Sequence, residues 1–390
     1  MYKPSSPRSR LLACGLAATI AVGTVAAPVA ASASAPTSAS AAAGFDDGVQ
    51  KSLDGLIGKE FPGALASVRD TGGRVTGYTA GVGNLETREE VPADGRVRIG
   101  SNTKTFVATV VLQLVGEGKI ELDGPVERYL PGLVRGKAGD GRRITVRQLL
   151  QHTSGLPNYT RYMHQDFFKI QHRYVEPRDM IDVALRHKAS FGPGKGWEYS
   201  NTGYLLLGLV VQKVTGRPIA EEVTRRVIDR AGLRDTYWPG VGDQTVKGPH
   251  PRGYTVRKPK GEFVDITTMD PSWGGAAGQL IGTPNDLNTF FLALLDGKLL
   301  RPAQLAEMKK TVKAPGFPEG WRYGLGVVKM KLDCGDTAWG HGGDIDGYET
   351  RNAATTDGRA TAVAVTALPT SEAGVLKVIK VVDDALCGTE

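Results

Sequence analysis

A serine followed three residues later by a lysine, Ser101-Asn102-Thr103-Lys104, is the first constellation in the chain with chemistry in it. At a helix entry this spacing puts both side chains on one face, a hydroxyl beside an amine able to take its proton. That pair is the minimum for nucleophilic acyl transfer. Taken alone it is common, and on position Ser101 reads equally well as a helix-capping serine. Two further polar clusters follow in the order such a serine needs, Tyr199-Ser200-Asn201 and His341-Gly342-Gly343. Together the three point to a serine hydrolase working through an acyl-enzyme. Lys104 would hold the Ser101 proton if burial and a cationic neighbour depress its pKa. Tyr199 offers a phenol that can give or take a proton where a partner lies close by.

Other chemistries lack their signatures. Neither Gly-x-Ser-x-Gly, His-Glu-x-x-His nor Gly-x-x-x-x-Gly-Lys-Ser/Thr occurs. The Gly192-Pro193-Gly194-Lys195-Gly196 loop carries a proline and precedes Trp197, which spoils a phosphate cradle. His164, His172 and His187 fall at no zinc spacing, so no metal and no other cofactor is expected.

The elements around these clusters follow from periodicity. Segments 63–68 and 74–82 alternate as a strand pair, and 97–99 is a short strand leading to Ser101. Phe106, Val107, Val110, Val111, Leu114 and Val115 recur at helical spacing until Gly116-Glu117-Gly118 stops the run. The serine therefore enters a buried helix whose free N–H groups favour developing negative charge. Helices are expected at 146–151, 177–186, 204–215, 285–295 and 372–385. Strands are expected at 323–330, 337–340, 349–353 and 359–365. The fold class is α/β: an antiparallel sheet built from both chain ends and flanked by helices, with an inserted mainly helical lobe. Residues 45–125 and 270–390 would form the two parts of the α/β domain, and 126–269 the lobe.

Residues 1–35 read as a secretory signal peptide: a basic start, an apolar run and Ala31-Ser32-Ala33. Residues 36–44 read as a disordered lead-in. No later run of 18 apolar residues occurs, so no membrane attachment is expected after signal removal, and the protein is expected to be secreted and monomeric. Lys3, Arg8 and Arg10 leave with the signal, so the formal charge of +7 becomes +4. The basic stretches 135–147 and 252–260 are broken by Gly, Pro and Asp and lack stacking aromatics, which argues against nucleic acid. If Cys14 departs, Cys334 and Cys387 remain as an even pair in an oxidising compartment, which favours a disulfide.

The chain resembles the penicillin-recognising serine hydrolases, the class C β-lactamase group and most closely the secreted actinobacterial D-alanyl-D-alanine carboxypeptidases. The likeness is carried by Arg98-Ile99-Gly100-Ser101-Asn102-Thr103-Lys104, by Ile144-Thr145-Val146-Arg147-Gln148-Leu149-Leu150-Gln151-His152-Thr153-Ser154-Gly155-Leu156, and by Tyr199-Ser200-Asn201-Thr202. It implies a β-lactamase/DD-peptidase-like fold, peptide or small-molecule acyl substrates, and β-lactams as acylating inhibitors. It also implies roles: Asn201 bonding the acyl-side amide, His341 polarising Tyr199, Gly342 and Gly343 admitting the substrate backbone, Trp273 as a substrate wall, and the backbone N–H of Ser101 and Asp344 as an oxyanion hole. The Cys334–Cys387 pair resembles the disulfide of the carboxypeptidase subgroup.

Three positions depart from the carboxypeptidase pattern. Gly342 and Asp344 stand where it has threonines, and Gly326 follows Tyr323-Gly324-Leu325 where it has a carboxylate-binding arginine. Arg351, Lys329 or Lys331 would have to serve instead. Overall likeness favours a D-alanyl-D-alanine carboxypeptidase. His-Gly-Gly is more similar to the D-aminopeptidases and esterases of the family, with β-lactamase as a further option. The non-enzyme alternative is a sensor that binds β-lactams or peptidoglycan.

Overall fold

A computed structural model describes residues 47–163, 167–257 and 261–388. The expected signal peptide, the lead-in and His164 lie outside the described residues. Nine strands form one antiparallel sheet in the order β2 (Val75–Gly81), β1 (Gly63–Arg69), β13 (Ala360–Val365), β12 (Tyr348–Ala354), β10 (Thr337–Gly340), β9 (Val328–Lys331), β8 (Arg322–Tyr323) and β7 (Val312–Lys313), with β11 (Gly343–Ile345) beside β12. Two small ladders stand apart: β3 (Val97–Arg98) with β6 (Ile281–Gly282), and β4 (Tyr254–Arg257) with β5 (Glu262–Asp265).

Strand alternation feeds two cores. Leu65, Ala362 and Ala364 point to the core around Phe106 and Phe290. Ala64, Ala66, Val68, Val363 and Val365 point to the other face. There they meet Val49 and Leu53 of helix α1 (47–54), and Val378, Val381 and Val382 of the closing helix α7 (Glu372–Cys387). Each large apolar side chain so buried contributes roughly 1.5–3 kcal/mol. With both faces covered, β13 (Ala-Thr-Ala-Val-Ala-Val) is apolar apart from Thr361 and buried along its length.

The helix that follows the serine, α2 (Thr103–Gly116), is buried on every side through Gln113 and Leu114, its buried polar side chains Thr105, Thr109 and Gln113 each bonded to a backbone carbonyl. Phe106 stacks on Phe290 of α6 (Pro284–Leu295) with centroids 3.8 Å apart. Helices α3 (Val146–Leu150), α4 (Pro177–Leu185) and α5 (Asn201–Thr215) fill the middle of the chain. Helix α5 begins three residues earlier than periodicity expects, because Ser200 is extended at φ −139° and ends the approach segment there. Asn201 is thus the first helical residue.

One expectation fails in kind. Segment 323–330 is not one strand but the hairpin β8–β9, with Tyr323 opposite Val328. The turn closes through the Gly324 N–H to the Val327 carbonyl at 2.7 Å, and Gly326 has φ +78°. The sequence signal was the Gly-Leu-Gly step, a turn pattern inside an apolar run. Cys334 and Cys387 lie bonded with Cα atoms 5.6 Å apart, tying the end of α7 to the turn between β9 and β10.

Candidate active site

The stretch 337–345 runs along β12 but is interrupted: Trp339 opposes Ala354, and Gly343 opposes Thr350, with His341 and Gly342 between them outside the ladder. This break sits against the turn that carries Ser101. A Cβ at Gly343 would stand 2.0 Å from the Ile99 carbonyl oxygen and 2.5 Å from Thr350 Oγ1, so only glycine lets β11 approach. The same approach brings the Asp344 N–H beside the serine turn, 3.0 Å from where a Cβ on Gly100 would be. Buried amides lock the contact. Asn102 Nδ2 donates to Thr350 Oγ1 at 2.8 Å, and Asn352 Nδ2 donates to Asn102 Oδ1 at 2.5 Å and to the His341 carbonyl at 2.7 Å.

Ser101 occupies a single 3₁₀ turn, Gly100–Asn102, at the head of α2. Lys104 Nζ lies 2.8 Å from Ser101 Oγ and donates to the Ala277 carbonyl at 2.7 Å. The amine is wholly buried, and that burial drives its pKa well below the ordinary lysine value, with Asp344 pulling weakly the other way. Its nitrogen stands 4.8 Å from the Tyr199 ring centroid. The Tyr199 hydroxyl is hydrogen-bonded to Ser101, and burial pushes its pKa well above 10. Burial thus shifts the two groups in opposite directions. An amine that readily gives up its charge and a phenol that keeps its proton face one serine oxygen. Such a set can deprotonate Ser101 at Lys104 and protonate a leaving group from Tyr199.

Asn201 lines the same cleft, its backbone N–H held by Asn158 Oδ1 at 3.2 Å. Trp273 is buried in the turn Pro271–Trp273, its carbonyl accepting from the Tyr159 hydroxyl. It borders a recess of about 40 Å³ beside Ser101, Tyr159 and Asn201. The main cleft, about 400 Å³, extends the other way from Ser101, Tyr199, His341 and Gly342 to an apolar limb formed by Phe317, Trp321, Met330, Val375 and Ile379.

His341 departs from its expected part. Its ring lies 6.4 Å from that of Tyr199, and its nitrogens bond elsewhere, Nε2 to the Tyr323 hydroxyl at 2.9 Å and Nδ1 to the Gly342 carbonyl at 2.6 Å. Tyr323 in turn lies 3.1 Å from His152 Nε2. Tyr323 and His152 were not singled out from sequence. Their signal was faint: His152 stands inside a family-like stretch and Tyr323 opens the Tyr-Gly-Leu step that departs from the pattern, without spacing that links either to the serine.

Of the three cations that could replace the missing arginine, one stands at the cleft. Arg351 lines the cleft, whereas Lys329 and Lys331 do not. A Cβ at Gly342 would come 2.9 Å from Arg351 Nη1, so the glycine makes room for the guanidinium to cross the strand break. There Arg351 pairs with Asp344 Oδ1 at 2.7 Å and Glu349 Oε1 at 3.1 Å. Burial opposes its charge, yet these two carboxylates hold its pKa above the ordinary value. Burial also raises Glu349, to about 8, against the pull of Arg351.

A family model described as Beta-lactamase matches residues 45–385. The chain belongs to that family. Within it, the crystal structure of a D-stereospecific amidohydrolase from Streptomyces sp. is 40% identical, with a TM-score of 0.80, covering 88% of this chain and 99% of that one. A D-amino acid amidase from Ochrobactrum anthropi SV3 is 28% identical, with a TM-score of 0.75 over 88% of this chain and 97% of its own. Among curated relatives, esterase EstB of Burkholderia gladioli is 35% identical over 44% of this chain and 46% of its own length. Penicillin-binding protein 4* of Bacillus subtilis (strain 168) is 28% identical over 41% and 34%. The chain thus matches less than half the length of these curated relatives. It is a serine hydrolase of the β-lactamase and penicillin-binding superfamily, with the antiparallel sheet and helices of that fold.

Proposed function

We propose that the protein hydrolyses amides and esters of D-amino acids through an acyl-enzyme on Ser101, favouring substrates with an uncharged or cationic end over peptides ending in a free carboxylate. Lys104 takes the Ser101 proton as the oxygen attacks the acyl carbon. The backbone N–H groups of Ser101 and Asp344 receive the oxyanion, and Tyr199 protonates the departing amine or alcohol. The proton held on Lys104 restores Tyr199, and water then releases the acid by the same path. Asn201 bonds the acyl-side amide, Gly342 and Gly343 admit the backbone, and Trp273 closes the acyl side. The apolar limb of the cleft suits a bulky apolar substituent.

One observation carries the choice of substrate. Arg351, the one permanent cation among the described residues lining the main cleft, is held by Asp344 and Glu349. A carboxylate entering there meets a pair with no net charge, whereas an ammonium meets the exposed Asp344 carboxylate. The 40% identity to a D-stereospecific amidohydrolase supports this reading. Overall likeness to D-alanyl-D-alanine carboxypeptidases supports the other, which requires Arg351 to be drawn from Asp344. The test is product release from D-phenylalanine amide, its L-isomer and an N-acylated peptide ending in D-Ala-D-Ala, with Ser101→Ala alongside. Faster turnover of the D-amide, lost in the variant, is expected. Preferential release of D-alanine from the peptide would overturn the assignment.

A further inference from the structure

His152 is conspicuous in the helical lobe. Its backbone lies at φ +61°, in the left-handed region that a non-glycine residue occupies at a cost of about 1–2 kcal/mol. It grips Tyr199 from both sides: its carbonyl accepts from the Glu198 N–H at 3.1 Å and its Nδ1 from the Ser200 N–H at 3.2 Å. The imidazole packs 4.2 Å from the Tyr199 ring, centroid to centroid. Because Nδ1 accepts, the proton of a neutral His152 ring is on Nε2, which faces the Tyr323 hydroxyl. At the other end, His341 Nδ1 faces the Gly342 carbonyl, which can only accept, so this ring carries its proton on Nδ1 and leaves Nε2 to accept from Tyr323.

The two rings then fix one direction along this chain: His152 Nε2–H to Tyr323 Oη, Tyr323 O–H to His341 Nε2, His341 Nδ1–H to the Gly342 carbonyl, with the Tyr204 hydroxyl, itself donating to the Leu150 carbonyl, also in hydrogen-bonding reach of Tyr323. We propose that Tyr323 is a positioning residue whose hydroxyl joins the clamp on Tyr199 to the His341-Gly342-Gly343 strand break, fixing one tautomer in each histidine and so the spacing of the two cleft walls. The chain carries no charge. Protonating either imidazole would put a second donor where an acceptor is needed and place a cation near Lys104. The groups facing His341 are Lys104 on α2, Tyr199 just before α5, Tyr323 on β8, Asp344 on β11, Arg351 on β12 and, through Tyr323, His152. Those facing His152 are Lys104, Tyr199, Tyr204, Tyr323 and, through Tyr323, His341. Burial and Lys104 lower both imidazole pKa values, His341 to about 3.

The kinetic arm of the test rests on the proposed acyl-enzyme reading. The spectroscopic arm does not, so the two can fail separately. In wild-type protein labelled with ¹⁵N-histidine, two-bond ring correlations should report the Nε2–H form for His152 and the Nδ1–H form for His341, the latter holding down to about pH 4. Tyr323→Phe keeps the ring in place and removes only the hydroxyl. It should free His341 Nε2 from its donor, so that its titration moves up from about 3 by that loss alone, burial and Lys104 still holding it low. Hydrolysis of a p-nitrophenyl ester should then lose roughly ten- to a hundredfold in kcat with little change in KM, and gain an acid-side ionisation that wild type lacks. The opposite tautomers in wild type would overturn the proposal. So would a Tyr323→Phe protein of unchanged melting temperature that keeps both tautomers, or whose pH profile has the wild-type shape.

Discussion

Replacing Asp344 by asparagine should turn the cleft from indifferent to receptive towards anionic substrates, without touching the Asp344 N–H proposed for the oxyanion. The carboxylate lies 2.7 Å from Arg351 Nη1, with the aspartate 59% exposed and the arginine 14%. Two unit charges 4 Å apart interact by about 1 kcal/mol in water and about 4 kcal/mol at an effective dielectric of 20. Because Asp344 is well solvated, the lower part of that range applies, roughly 1–2 kcal/mol. At 1.4 kcal/mol per decade this is about a 5- to 30-fold gain in kcat/KM for an N-acylated D-Ala-D-Ala peptide, with a matching loss for a cationic D-aminoacyl amide. A neutral ester should change by no more than about twofold on the same reasoning. The gain should fade above about pH 8, where Glu349 ionises and neutralises Arg351 in place of the lost aspartate. Steady-state kinetics on the three substrate types at pH 7 and pH 9 measures all of this. An equal change for anionic, neutral and cationic substrates would refute the electrostatic argument.

Other outcomes follow from the same geometry. Lys104→Met should lower kcat by roughly 10²–10⁴-fold, as loss of a general base does, while preserving the fold by circular dichroism. Trp321→Ala should cut kcat/KM for D-phenylalanine amide about tenfold more than for D-alanine amide, since it strips the apolar limb and leaves Ser101 untouched. Glu349 is raised from 4.5 to about 8 in the folded protein, so its contribution to stability is full below pH 4.5 and is lost as pH rises through about 8. Glu349→Gln should therefore be more stable than wild type at pH 9, by up to roughly 4–5 kcal/mol, with the difference shrinking towards pH 4.5 in urea titrations. Reduction of Cys334–Cys387 should cost about 2–4 kcal/mol in the same assay, because it frees the end of α7 from the turn after β9.

Local signals made much of this molecule readable from sequence. The serine helix announced itself by apolar residues at helical spacing up to Gly116, and the first strand pair of the sheet by alternation. Ser101 and Lys104 fell together because a spacing of three residues at a helix entry fixes their relation. What stayed hidden depends on contacts far apart in the chain. Tyr323 sits 171 positions from His152, and Asn102 is 250 from Asn352; no periodicity links such pairs. Roles assigned to His341 from its motif alone missed that both its nitrogens are occupied. Nor does the sequence show the burial that moves the Lys104 amine down and the Tyr199 phenol up.

The most direct test of the central claim is intact-protein and peptide mass spectrometry after brief mixing with a D-phenylalanine ester, quenched in acid. One acyl adduct on the peptide containing Ser101, absent from Ser101→Ala and accumulating in Tyr199→Phe, is the expected result. Turnover by Ser101→Ala at the wild-type rate, or an adduct on another residue, would contradict the acyl-enzyme account.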